Sequence, residues 1–156
     1  MSREHLAIAA VGCVGALAIA GVASADTGES VKIRTYEGAK LRVRVAPRRL
    51  TLSEVRRPVV RRRCVVSKTG RRRVDSFSIG VNTFRGKRPT VGGKSVRSRH
   101  TERKLPTGGV ETIDLTLTLK FISHTKARLV VKLKSRSPGP TGTVRCVGRA
   151  TDTVSP

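Results

Sequence analysis

The stretch VETIDLTLTLKFISHTKARLVVKLK, residues 110–134, decides the fold. Ile113, Leu115, Leu117, Leu119 and Phe121 take every second position, with Thr112, Asp114, Thr116, Thr118 and Lys120 between them. Ala127, Leu129, Val131 and Leu133 repeat the alternation against Arg128, Lys132 and Lys134. Side chains of a strand point to opposite faces with a period of two, so each half reads as a strand with one buried face. The polar connection Ser123-His124-Thr125-Lys126 joins the halves as a hairpin.

Upstream, Val31, Ile33 and Thr35 alternate with Lys32, Arg34 and Tyr36, and Leu41, Val43 and Val45 alternate with Arg42 and Arg44. This predicts a second hairpin ended by Pro47, which cannot donate to a ladder. Leu50–Val55 fits either a short strand or a helical turn. Val59–Val66 carries Arg61, Arg62, Arg63 and Cys64, and the turn at Ser67–Gly70 leads to Arg71, Arg72, Arg73 and the alternating Phe77, Ile79 and Val81. A hairpin about that turn pairs Val66 with Arg71 and Arg62 with Asp75, bringing the two arginine triplets together. Period two forces at least one arginine of a triplet toward the covered side. Such a residue must sit at an edge, snorkel or pair with a carboxylate.

Residues 85–109 read as a long basic loop. Arg85, Lys87, Arg88, Lys94, Arg97, Arg99, Arg103 and Lys104 stand among Gly and Pro, with only Val91, Val96 and Leu105 as apolar anchors. Structureless loops of this length are uncommon in a compact domain unless functional or disordered, and both readings stay open here, with a frayed strand pair around Val91 and Val96 as the most regular structure expected. Pro138-Gly139-Pro140 is expected to form a turn, and Thr143–Val154 the last strand, with Val144, Cys146 and Ala150 on one face.

No amphipathic helix of useful length occurs after residue 25. The expected fold is therefore all-β, an antiparallel sandwich or a partly open barrel, in one domain spanning 26–156. The strand count and the long cysteine spacing resemble an immunoglobulin-like sandwich. Two features depart from that pattern: there is no Trp to pack on a disulfide, and Val144 occupies the position two before the second Cys where the tyrosine corner would have Tyr.

The N-terminus has the three parts of a secretory signal: a short start with Arg3, an apolar run from Leu6 to Val22, and the small-residue triplet Ala23-Ser24-Ala25. Cleavage after Ala25 is expected, delivering the domain to the exterior, the cell envelope or the periplasm. A retained anchor is the rival reading, against which the run is slightly short. Of three cysteines, Cys13 leaves with the signal. Cys64 and Cys146 remain to form one disulfide in an oxidising compartment.

The formal charge is +23, and removing residues 1–25 takes away only Arg3 and Glu4, so the whole excess belongs to the domain. Such a charge attracts anionic surfaces and polymers. The codon bias of a GC-rich genome is a second source of arginine that involves no ligand. Chemistry is poorly represented. Gly93-Lys94-Ser95 resembles the end of a phosphate loop, but Arg88 stands where the first Gly is needed and no helix follows. His100 and His124 sit in polar segments without a ligand set, so no metal, cofactor or catalytic residue is assigned.

The reading is a non-catalytic module whose candidate polyanion-binding residues are Arg61, Arg62, Arg63, Arg71, Arg72, Arg73, Lys87, Arg88, Arg97 and Arg99. Its expected partners are anionic envelope polymers or lipid headgroups. The alternative is a structural or protein-interaction domain whose arginine excess is compositional. Nucleic acid would bind only non-specifically, since at least Phe77 and Phe121 are committed to the core and cannot serve as stacking platforms.

Overall fold

The computed structural model describes residues 28–156. The expected signal segment, its cleavage position and Cys13 lie outside the described residues. Ten strands form two antiparallel sheets, and the sheets do not close into a barrel. The smaller sheet contains β1 (Thr35–Glu37), β2 (Leu41–Ala46), β3 (Arg49–Glu54) and β6 (Asn82–Arg85), in that order. The larger contains β4 (Val60–Val66), β5 (Arg72–Phe77), β7 (Lys94–Lys104), β8 (Val110–Ser123), β9 (Lys126–Gly139) and β10 (Gly142–Val154), in the order β5-β4-β10-β9-β8-β7. Among the described residues no helix is long and apolar enough to cross a membrane.

The β8–β9 hairpin forms in the register its alternation requires, with Leu115 opposite Leu133, Leu117 opposite Val131 and Leu119 opposite Leu129. These side chains are buried against Leu41, Val43, Val45, Leu50 and Leu52 of the smaller sheet in one core. Tyr36 meets Phe121 edge to face, ring centroids 5.0 Å apart, and its hydroxyl donates to the His124 carbonyl at 3.1 Å. The corner where the sheets meet is tied by Asp152 of β10. Its carboxylate accepts from the Lys40 and Leu41 amides at 2.7 and 2.9 Å.

Several expectations are corrected. In the first hairpin Tyr36, not Thr35, faces the core, because the chain bends at Ile33–Arg34 and breaks the alternation; Val31 is buried and Ile33 is exposed. The open question at Leu50–Val55 resolves as strand β3. The turn expected at Pro138-Gly139-Pro140 is displaced. β9 continues through Pro138 to Gly139, and the chain turns at Pro140-Thr141. Pro138 is tolerated because the β8–β9 ladder has already ended at Thr112 opposite Arg136, so no donor is required there.

The expected loop at 85–109 holds the eleven-residue strand β7, paired along its length with β8 from Lys94–Lys120 to Lys104–Val110. Its pattern concealed it, because hydrophobic alternation reports burial and not pairing. β7 is an edge strand, and beyond Ser95 its core-side positions Arg97, Arg99, Thr101 and Arg103 are half-buried or exposed. Charge along an edge also protects it from pairing with other chains.

Candidate polyanion-binding face

The cysteines set the geometry of the charged surface. Cys64 and Cys146 are direct cross-strand partners on β4 and β10, with Cα atoms 4.0 Å apart and a disulfide between them. The bridge therefore lies within one sheet, unlike the inter-sheet bridge of immunoglobulin domains. Both cysteines are buried on the core side, so their neighbours Arg63, Val65, Arg145 and Val147 must point outward.

The register extends this outer face across four strands. One row runs Val74, Arg63, Val147, Lys134; the next runs Arg72, Val65, Arg145, Arg136; just past the end of the β4–β10 ladder, Arg61 opposite Ser76 and Arg149 opposite Lys132 line one groove. With Arg128 farther along β9, nine exposed cations stand on this face and no acidic residue shares it on these four strands. None of the nine lies within ion-pair distance of a carboxylate among the described residues. Rows are about 4.8 Å apart between strands and about 7 Å along them, so the cations form a dense lattice. An open groove of about 620 Å³ crosses it between Arg61, Arg63, Lys132 and Arg149.

The arginine hairpin has the register read from the sequence, with Arg62 opposite Asp75 and the Val66 amide donating to the Arg71 carbonyl. Its six arginines do not share a face. Arg61, Arg63 and Arg72 belong to the outer lattice, while Arg71 lies in the turn and Arg73 is on the core-side face, exposed near the edge. Arg62 is the inward member of its triplet. Its side chain is 12% exposed, and it pairs with Asp75 at 2.9 Å and Glu111 at 3.1 Å. Its guanidinium carbon lies 4.7 Å from the Phe77 ring centroid. Arg62 is thus neutralised structure.

The remaining candidates stand elsewhere. Arg97 and Arg99 occupy core-side positions of β7, at the opposite edge of the sheet from β5, five strand spacings or about 24 Å away. Arg97 folds over Gly86 and donates to the Lys87 carbonyl at 3.0 Å. Lys87 and Arg88 lie in the loop before β7. Arg128, Lys132, Lys134, Arg136, Arg145 and Arg149 were missed from the sequence. Strand alternation alone places them outward, but only the adjacency of β4, β10 and β9 brings them beside Arg63.

The chemistry this face supports is electrostatic. All four aromatic residues are withdrawn from it: Tyr36, Phe84 and Phe121 are buried, and Phe77 is half-buried under Arg62. The arrangement has no stacking platform, so its contacts with a nucleic acid would be to phosphates. Among the described residues no group of three or more His, Cys, Asp or Glu is placed to hold a metal ion. His100 Nδ1 and Asp114 Oδ1 are 2.7 Å apart on exposed β7 and β8, and this contact raises the imidazole pKa above its ordinary 6.5. No protein-family model, no characterised protein and no solved structure matches the chain.

Proposed function

We propose that this is an exported, non-catalytic β domain that binds acidic polymers or anionic surfaces of the cell envelope through the outer face of β5, β4, β10 and β9. The observation that carries the reading is the lattice of nine exposed cations, none of them paired with a carboxylate among the described residues. Like charges at spacings of about 5–7 Å repel one another, and a polyanion relieves that repulsion when it binds. Export is supported by the signal-like pattern of residues 1–25 and by the Cys64–Cys146 disulfide.

A second reading has its own support. Arg42, Arg44, Arg49 and Arg85 occupy the outward positions of the smaller sheet, so arginine is spread over both outer faces as a compositional excess would spread it. Heparin binding by equal-sized neutralised variants separates the two. Replacing Arg63, Arg72, Arg145 and Arg149 with Gln is expected to remove far more affinity than replacing Arg42, Arg44, Arg49 and Arg85. Equal losses would favour the compositional reading and end the proposal of a local site.

A further inference from the structure

We infer that the ligand of this face is an anionic lipid bilayer, with valines of the lattice entering the headgroup layer. The inference rests on the polyanion-binding reading and narrows it from anions in general to a surface with an apolar layer beneath its charges. Three of the eight exposed large hydrophobic side chains among the described residues, Val65, Val74 and Val147, surround one residue. Val74 and Val147 flank Arg63 in register on β5 and β10, and Val65 is its neighbour two positions along β4. Their exposures are 40% for Val65, 70% for Val74 and 56% for Val147. The other exposed large hydrophobics of the larger sheet, Val96, Val110 and Ile122, stand singly on β7 and β8, well apart in register and among polar outward neighbours such as Thr112, Asp114, Thr116 and Thr118. The three valines therefore form a cluster. A groove of about 720 Å³ opens between them and Arg72 and Arg145.

Alternating cations and short apolar side chains on one plane match the chemistry of a charged membrane interface. Arg63, Arg72 and Arg145 can lay their aliphatic stems along the valines while their guanidinium groups meet lipid phosphates. Membrane affinity at an interface combines buried apolar area with attraction to anionic headgroups, and both components are present here. A soluble polyanion would engage the cations and gain nothing from the valines. That asymmetry selects the bilayer over the polymer.

The test uses residues 28–156, which contain both sheets, the core and the disulfide, so that no upstream apolar segment contributes to binding. The probes are vesicles of phosphatidylglycerol mixed into phosphatidylcholine, with heparin as the soluble polyanion. Replacing Val65, Val74 and Val147 together with Thr keeps β-branched residues at exposed strand positions, so the fold should persist. Vesicle partitioning is expected to fall on the order of tenfold, with heparin binding unchanged. The chain contains no Trp, so Val74→Trp supplies a single reporter whose emission should shift to the blue on anionic vesicles and stay unshifted on heparin. Unchanged vesicle binding by the Thr variant, together with unshifted emission from the Trp variant at saturation, would overturn the bilayer inference and leave polyanion binding standing. Absence of salt-sensitive binding to both probes would remove the underlying reading as well.

Discussion

Arg62 Nη1 donates to Glu111 Oε1 at 3.1 Å, although the two residues stand on β4 and β8 with β10 and β9 between them. The same nitrogen contacts Ser135 Oγ of β9 at 3.2 Å, and Nε and Nη2 both donate to Asp75 Oδ2. The other oxygen of Glu111 accepts from Arg103 of β7. One guanidinium, made inward by the period of its strand, thereby links β4, β5, β8 and β9 directly and β7 through Glu111, while β10 places Gly148 opposite Arg62.

Removing Glu111 should therefore be costly. Its carboxylate is 4% exposed and Glu111→Ala leaves Arg62 half-partnered in a nearly buried position. A loss of about 3 kcal/mol is expected in urea unfolding, toward the low end for a broken buried pair because Asp75 remains. A loss below about 1 kcal/mol would show that water replaces the carboxylate freely.

The His100–Asp114 contact predicts a pH dependence. The folded imidazole titrates above its ordinary value because it hydrogen-bonds Asp114, with Glu102 adding at 3.9 Å. Its contribution to stability is present in full below about pH 6.5 and fades as the pH rises through the folded value. Asp114→Asn should lower the His100 pKa in an NMR titration. The stability difference between the two proteins should be larger at mildly acid pH than at alkaline pH, and a pH-independent difference would rule out this linkage.

Reducing the disulfide tests the covalent tie. Cys64 and Cys146 are 82 residues apart, and the chain-entropy model assigns such a loop about 4–5 kcal/mol through the unfolded state. The reduced protein, or the C64S/C146S variant, should unfold at correspondingly lower urea with β-structure otherwise retained. A stability unchanged by reduction would mean that the cross-strand pairing of β4 and β10 already confines the unfolded chain.

The core hairpin was legible because every second residue from Ile113 to Phe121 is apolar, and burial is what alternation reports. The inward fate of Arg62 was also legible, since three successive arginines cannot obey period two without one turning in. β7 was hidden because from Arg97 to Lys104 it has no apolar residue of its own, even where it pairs with the buried Leu115 and Leu117. The charged face was only partly legible for a different reason. Outward positions follow from local alternation, but which strands lie side by side depends on long-range pairing, and the return of β10 between β4 and β9 has no local signature. Arg145 and Lys134 join Arg63 only through that return.

Salt dependence separates the lattice from cations that stand elsewhere. With duplex DNA as a generic polyanion, each phosphate-contacting cation adds about one unit to the slope of log K against log salt. Arg63→Gln and Arg145→Gln together should lower that slope by about two. Lys87→Gln and Arg99→Gln should leave it nearly unchanged, because neither residue lies on the outer face of β5, β4, β10 and β9. Equal effects from both pairs would mean that the whole molecule attracts the probe without a preferred face.

Gly148 gives the Arg62 side chain a close approach to β10 at its base. It stands directly opposite Arg62, and a Cβ added there would lie 2.6 Å from Val60 Cγ1, 3.1 Å from the Arg61 carbonyl oxygen and 3.2 Å from Arg62 Cβ. Its backbone does not adopt a positive φ, so the expected cost of Gly148→Ala is steric. Overpacking of this kind costs about 1–3 kcal/mol. The clash falls mainly on Val60, which is buried, so Val60→Ala loses its own packing but relieves the contact. The double variant should consequently be more stable than the sum of the two single losses predicts, by about 0.5 kcal/mol or more. Strict additivity in urea unfolding would show that β10 shifts away as a unit.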